Sequence, residues 1–188
     1  MNERQWAESV QGFVSNHFER YTPALAMRQG ANLPYANEIR LYRDHVTPEP
    51  VAVSYETDLL VAETVEPGTW TPRVVVECKL ESITTHDAIT YSEKAFSHKK
   101  VHPYLRYGIL LGKREHYPLP GRLFRHGLFF DFMLSWTAET PTGRELDDFL
   151  EIVLDEVDAS RNLEAMLYNS RRADRKRYVV LHKPLRLR

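Results

Sequence analysis

Apolar positions in the first twenty residues recur at three- and four-residue intervals: Trp6, Val10, Phe13, Val14, Phe18 and Tyr21. That period predicts an amphipathic helix, opened by a capping box between Asn2 and Gln5 and closed before Pro23. Residues 24–37, with Gly30, Asn32 and Pro34, follow neither a helical nor a strand period. They read as an irregular connection, with room for a short helix over 24–29. Glu38, Ile39, Arg40, Leu41 and Tyr42 then alternate as a half-buried strand does. A second strand is predicted within 51–63, centred on 55–62, and a third over the β-branched run 73–80. Pro67-Gly68 between them is a turn signal, so these two strands should be antiparallel neighbours.

Thr84 or Thr85 can cap a helix reaching about residue 100, with Ala88, Ile89, Ala95 and Phe96 inward and Pro103 beyond its end. The strand predicted over 105–111 is reached across that helix, the arrangement of a parallel crossover. Residues 113–126, rich in Pro, Gly and Arg, read as a long loop or hairpin, and 127–136 as a further strand. Thr142 and Glu145 form a second capping box, followed by Leu146, Phe149, Leu150, Val153 and Val157 at helical spacing. The chain ends in a basic run, 171–177, and a possible edge strand over 178–182.

Composition narrows the class. At 188 residues, 43% hydrophobic and 27% charged, the chain is expected to form one globular domain, with a core over about 3–136 and a C-terminal helix and basic segment over 142–188. Twenty-five Lys and Arg against 26 Asp and Glu leave affinity for a polyanion to local patches. Cys78 is the only cysteine, which excludes an intrachain disulfide and a cysteine-built zinc site and fits a reducing compartment. No run of about 20 apolar residues is present, and no apolar stretch follows the N-terminal Met1-Asn2-Glu3-Arg4. The expectation is a soluble cytoplasmic protein with no membrane partner.

The chemistry concentrates in the third predicted strand. Glu77 and Lys79 interrupt its apolar run at positions i and i+2, so both point to one face, while Val74, Val76, Cys78 and Leu80 point to the other. Charges in such a strand need partners, a metal or a site. Asp58, in the neighbouring strand, is within reach. Two carboxylates can hold Mg²⁺ at a phosphodiester, with the Cys78 backbone carbonyl as a further hard oxygen ligand. Lys79 can hold an attacking water and stabilise developing negative charge, or help deprotonate that water if its own pKa is depressed. The bland alternative is an ion pair among Asp58, Glu77 and Lys79 that only stabilises the fold.

The order helix, three strands, helix, strand, with Asp58 about eighteen residues before Glu77-x-Lys79, resembles the PD-(D/E)XK nuclease superfamily over roughly residues 3–112. Thr57 stands where the family's name has proline. The resemblance implies an α/β restriction endonuclease-like core, a mixed central sheet flanked by helices in the order αβββαβ. It also implies Asp58, Glu77 and Lys79 as catalytic residues, Mg²⁺ (or Mn²⁺) as cofactor, and cleavage leaving a 5′-phosphate and a 3′-hydroxyl. Many members add an acidic residue from the first helix or nearby, for which Glu19 and Glu38 are candidates, Glu38 being the better placed.

Lys94, His98, Lys99, Lys100 and Arg106 follow the site along the chain, with His102 and Tyr104 among them, and suit a phosphate-lined groove. Arg114, Arg122 and Arg125 in the long loop could read guanine. The expected function is a Mg²⁺-dependent DNA endonuclease of type II restriction character, cutting double-stranded DNA as a homodimer. Two alternatives stay open: a structure-selective or transposon-end nuclease, and a catalytically silent nucleic-acid-binding or complex-forming subunit of the same fold.

Overall fold

The computed structural model describes residues 1–169, 179–182 and 185–187. The basic run 171–177 lies outside them, and residues 179–182, where the edge strand was expected, form none. Helix α1 (Glu3–Tyr21) begins at the anticipated capping box, Asn2 and Gln5 each accepting the other's backbone N–H. Two long strands, β1 (Leu25–Tyr42) and β2 (Pro48–Glu66), form an antiparallel hairpin, and β3 (Thr69–Leu80) folds back on β2. Helix α2 (Thr85–Val101) crosses over to β4 (Arg106–Gly112), parallel to β3, and α3 (Gly121–His126) precedes β5 (Phe132–Ser135), parallel to β4. Helix α4 (Gly143–Tyr168) closes the described fold from the Thr142 and Glu145 capping box. The result is an α/β architecture around a mixed five-stranded sheet in the order β1-β2-β3-β4-β5.

Three expectations are corrected. Residues 24–37 are not irregular: most of them belong to β1, because β2 supplies a paired backbone along nearly the whole length. Local pattern failed there since Tyr35 is an extra, bulged residue between the pairs Pro34/Ser54 and Ala36/Val53. Likewise the 113–126 loop contains α3, too short at six residues to show a period. The fifth strand starts only at Phe132, since residues just before it turn through a Phe130 N–H to Gly127 carbonyl bond.

The sheet is covered on both faces. On one, Trp6, Val10, Val14 and Phe18 of α1 and Phe149, Val153 and Val157 of α4 pack against Leu59, Val61, Val74, Val76, Cys78 and Leu110. On the other, α2 and α3 contribute Ala95, Ala88 and Leu123 against Leu60, Val75, Tyr107, Ile109 and Leu111. Burial on both faces explains why β3 and β4 read as nearly continuous apolar runs. Gly112 permits the closest approach of α1: a Cβ there would come within 2.5 Å of the Trp6 ring.

The hairpin changes sides along its length. Met27 and Leu33 share strand parity, yet Met27 enters the α1 and α4 core and Leu33 the α2 core. Between them lies Gly30 at φ 64°, a left-handed conformation that glycine adopts without a Cβ penalty. In the paired register Gly30 falls opposite Asp58.

Candidate active site

The site sits where the sheet forks. Strands β2 and β3 are paired from Glu66 and Thr69 as far as Leu59 and Val76. Beyond that point β2 stays with β1, whereas β3 stays with β4 through Glu77/Ile109, Cys78/Leu110 and Lys79/Leu111. Asp58 is the first β2 residue past the last pair. A backbone N–H that loses its strand partner needs another acceptor, and that of Cys78 donates to Asp58 Oδ2 at 2.8 Å. One carboxylate oxygen thus ties the fork together.

Glu77 faces α2, as its parity with Val75 requires, and is fully buried. Its Oε1 takes the Lys94 ammonium at 3.0 Å and the hydroxyl of Tyr107, while Oε2 has no partner. Burial pushes the Glu77 pKa up to about 7; Lys94 opposes the rise, the Asp58 charge adds to it, and the Tyr107 hydrogen bond moderates it. Such a pKa lies within reach of neutral pH, as is common where carboxylates do chemistry.

Lys79 shares the Glu77 face but not its company. Its Nζ lies 3.1 Å from Glu3 Oε1, 3.8 Å from Asp87 Oδ1 and 5.5 Å from the Tyr91 ring centre. Burial opposes its charge, but Tyr91, Glu3 and Asp87 outweigh that and raise its pKa. The idea that a depressed pKa lets Lys79 assist deprotonation is therefore corrected: it stays an ammonium. Lys94, read from sequence as a DNA contact, also holds Glu77. The Tyr91 ring lies between the two cations, 5.4 Å from Lys94 Nζ.

Other residues singled out from the sequence separate by burial. His98 is buried, donating Nε2–H to the Leu33 carbonyl at 3.1 Å with Nδ1 bare, and burial pushes its pKa down to about 4. It is a core residue and no DNA contact. Arg106 is also internal, paired with Asp131 at 3.0 Å and with Glu156. Lys99 pairs with Asp131 at 2.7 Å and donates to the Phe129 carbonyl. Lys100 is exposed over the Phe96 ring, Arg125 is exposed, and exposed Arg122 donates to the Ile83 carbonyl. Arg114 donates to the Glu81 carbonyl.

Glu38 is exposed and opposite Val51, seven residues along β2 from Asp58 and so about 23 Å away at the rise of a strand. That distance removes it as a ligand beside Asp58. Glu19 is exposed near the far end of α1, and the first-helix carboxylate that approaches β3 is Glu3. Sequence reasoning missed Glu3, Tyr91 and Tyr107; the two carboxylate and hydroxyl groups at positions 3 and 107 look ordinary until the crossover sets them around β3.

Asp58 and Glu77 offer hard oxygens, and the unpartnered Glu77 Oε2 is an acceptor already desolvated. Mg²⁺ needs only one or two carboxylates beside water and phosphate oxygens, so this donor set suits it, with the Cys78 carbonyl between Glu77 and Lys79 as a candidate third oxygen. Among the described residues no group of three or more His, Cys, Asp or Glu is gathered for an ion. No helix among the described residues is long and apolar enough to cross a membrane. No protein-family model matches the chain, and no curated protein matches it.

Proposed function

We propose that the protein is a Mg²⁺-dependent endonuclease of restriction endonuclease-like fold that hydrolyses phosphodiester bonds in DNA. The observation that carries the reading is the buried Glu77 at the sheet fork, beside Asp58, with one oxygen held by Lys94 and Tyr107 and the other unpaired. Mg²⁺, when bound by Asp58 and Glu77, would supply Lewis-acid stabilisation and a more acidic water. The chain's own groups do the rest. Tyr107 fixes the Glu77 carboxylate in one orientation, and the Cys78 amide fixes Asp58. Lys79 and Lys94, both cationic, lie on the α2 side of the fork and stabilise negative charge that develops on a phosphate there. Glu77 is fully buried between Tyr107 and β4, and the low dielectric of that position strengthens its interactions.

Restriction-type cutting of both strands would require a second copy related by a two-fold axis. Incubation of the purified protein with plasmid DNA, with Mg²⁺ or with EDTA, tests the proposal. Fragments that depend on Mg²⁺ and disappear in Glu77→Gln support it, and intact DNA under all conditions overturns it. Pairing of Lys79 with Glu3 and Asp87 favours the second reading, a silent nucleic-acid-binding subunit, which would bind DNA with a salt-dependent affinity and no metal requirement.

A further inference from the structure

Next to the Glu77 and Lys94 pair stands a feature that the hydrolytic site does not use. Tyr35 and Tyr55 lie face to face, ring centres 3.8 Å apart and planes within 8°. Tyr35 reaches that position because it is the extra residue of the β1 bulge, and bulges redirect side chains. Both rings stand edge-on to the buried His98 imidazole, at 6.4 and 6.0 Å with interplanar angles of 82° and 90°. His98 is in turn held by the Leu33 carbonyl and stacked on Tyr107 at 5.6 Å. The pair therefore rests on a rigid base. Tyr55 keeps 40% of its surface exposed, and Lys94 Nζ is 5.8 Å from its ring centre. Lys94 thus pairs with the Glu77 carboxylate and lies over the Tyr55 ring.

We infer that Tyr55, backed by Tyr35, is a stacking platform for one unpaired base of a single-stranded or locally opened DNA, adjoining the hydrolytic site. The inference rests on the nuclease reading for its substrate, and it narrows that substrate class. A base within an intact duplex has both faces covered by its neighbours. An exposed aromatic face is matched instead by a base free of its stack, and such contacts tolerate any sequence because every base has a π face. Pre-stacking on Tyr35 and support from His98 hold the Tyr55 ring in place before the base arrives, which lowers the ordering cost of binding. A cation beside the ring suits the phosphate that accompanies the base.

The test is fluorescence anisotropy in EDTA, where hydrolysis cannot occur, with a labelled oligodeoxythymidine and a labelled duplex of equal length. Wild type is expected to bind the single strand more tightly than the duplex. Tyr55→Ala should weaken single-strand binding about tenfold and leave duplex binding unchanged, while Tyr55→Trp should retain it. Thermal unfolding of each variant shows that the fold is kept. Equal binding of the single strand by wild type and Tyr55→Ala overturns the platform, as does a wild-type preference for the duplex or no binding at all. Cleavage in Mg²⁺ is scored separately: a protein that binds single strands through Tyr55 but never cuts keeps the platform and loses the nuclease reading.

Discussion

The Lys94 ammonium stands 3.0 Å from Glu77 Oε1, whereas Lys79, two residues along β3 from Glu77, is turned to Glu3 at 3.1 Å. Two lysines thus divide what one was expected to do. Replacing each should separate the roles. Lys94→Met removes the cation that holds the Glu77 pKa down and should lift that pKa above 7, whereas Lys79→Met should leave it where it is. Carboxyl NMR of Glu77 against pH reads both. Cleavage should fall about a hundredfold in either variant, as for loss of one charge-stabilising group.

Glu77 and His98 oppose each other in the pH dependence of stability. Glu77 is raised from 4.5 to about 7, so the folded protein holds its proton more tightly, and this contribution to stability declines as pH rises between those values. His98 is lowered from 6.5 to about 4, so the unfolded chain takes up its proton first, and stability declines as pH falls through that interval. Burial pushes His102 the same way as His98. Between about pH 4.5 and 6.5 the Glu77 and His98 slopes offset, and His102 adds a decline on acidification. Relative to wild type, urea unfolding should show a Glu77→Gln variant whose stability falls more on acidification, by up to about 1.4 kcal/mol per pH unit, and a His98→Gln variant whose stability shifts by as much in the opposite sense. Parallel curves for all three would sink the assignment.

Metal affinity should follow the same carboxylate. Below about pH 7 the proton on Glu77 competes with Mg²⁺, so the concentration for half-maximal cleavage should rise about fivefold from pH 7 to pH 6. A titration of cleavage rate with Mg²⁺ at both pH values measures it.

Tyr107→Phe deletes the hydroxyl that positions Glu77 and leaves Oε1 to Lys94 alone. The expected cost is about 1–3 kcal/mol in stability, from a buried acceptor that loses a donor. Because the Tyr107 bond favours the ionised carboxylate, the pH profile of cleavage should also move upward. An unshifted profile would make Tyr107 a packing residue only.

Arg106, largely buried with Asp131 and Glu156, should behave as a structural cation. Arg106→Ala takes the arginine from Glu156 and leaves Asp131 to Lys99 alone, and should cost about 3–5 kcal/mol while leaving the salt dependence of DNA binding unchanged. Lys100, exposed, should do the reverse, its replacement lowering the salt slope by roughly one.

Much of this fold was legible because its strongest signals are local. The capping boxes at Asn2 and Thr142 and a cap expected at Thr84 or Thr85, which proves to be Thr84, mark the three long helices, and the Pro67-Gly68 turn gives the β2 and β3 hairpin. The parity of Glu77 with Val75, against Val74, Val76 and Cys78, also followed from period two alone. The first strand was hidden for the opposite reason: its bulge at Tyr35 and its left-handed Gly30 break any period, and its first residue, Leu25, pairs with Glu63 far along the chain. In the site, Asp58 and Glu77 could be named from adjacent strands. Their lysine could not, since the approach of Lys94 depends on how α2 lies across β3 and β4. Likewise the burial of His98 and Arg106 is a property of packing that their polar type conceals.

The sheet order repeats the chain order, each strand lying beside the one made just before it. Nearest-neighbour topology keeps the loops that must close short, which favours rapid assembly. On a ribosome it also means that every strand finds its edge already present. Glu3, Asp58, Glu77, Lys79, Lys94 and Tyr107 all precede α3 in the chain, so the candidate site can be put together while α4, which seals the opposite face, is still being synthesised.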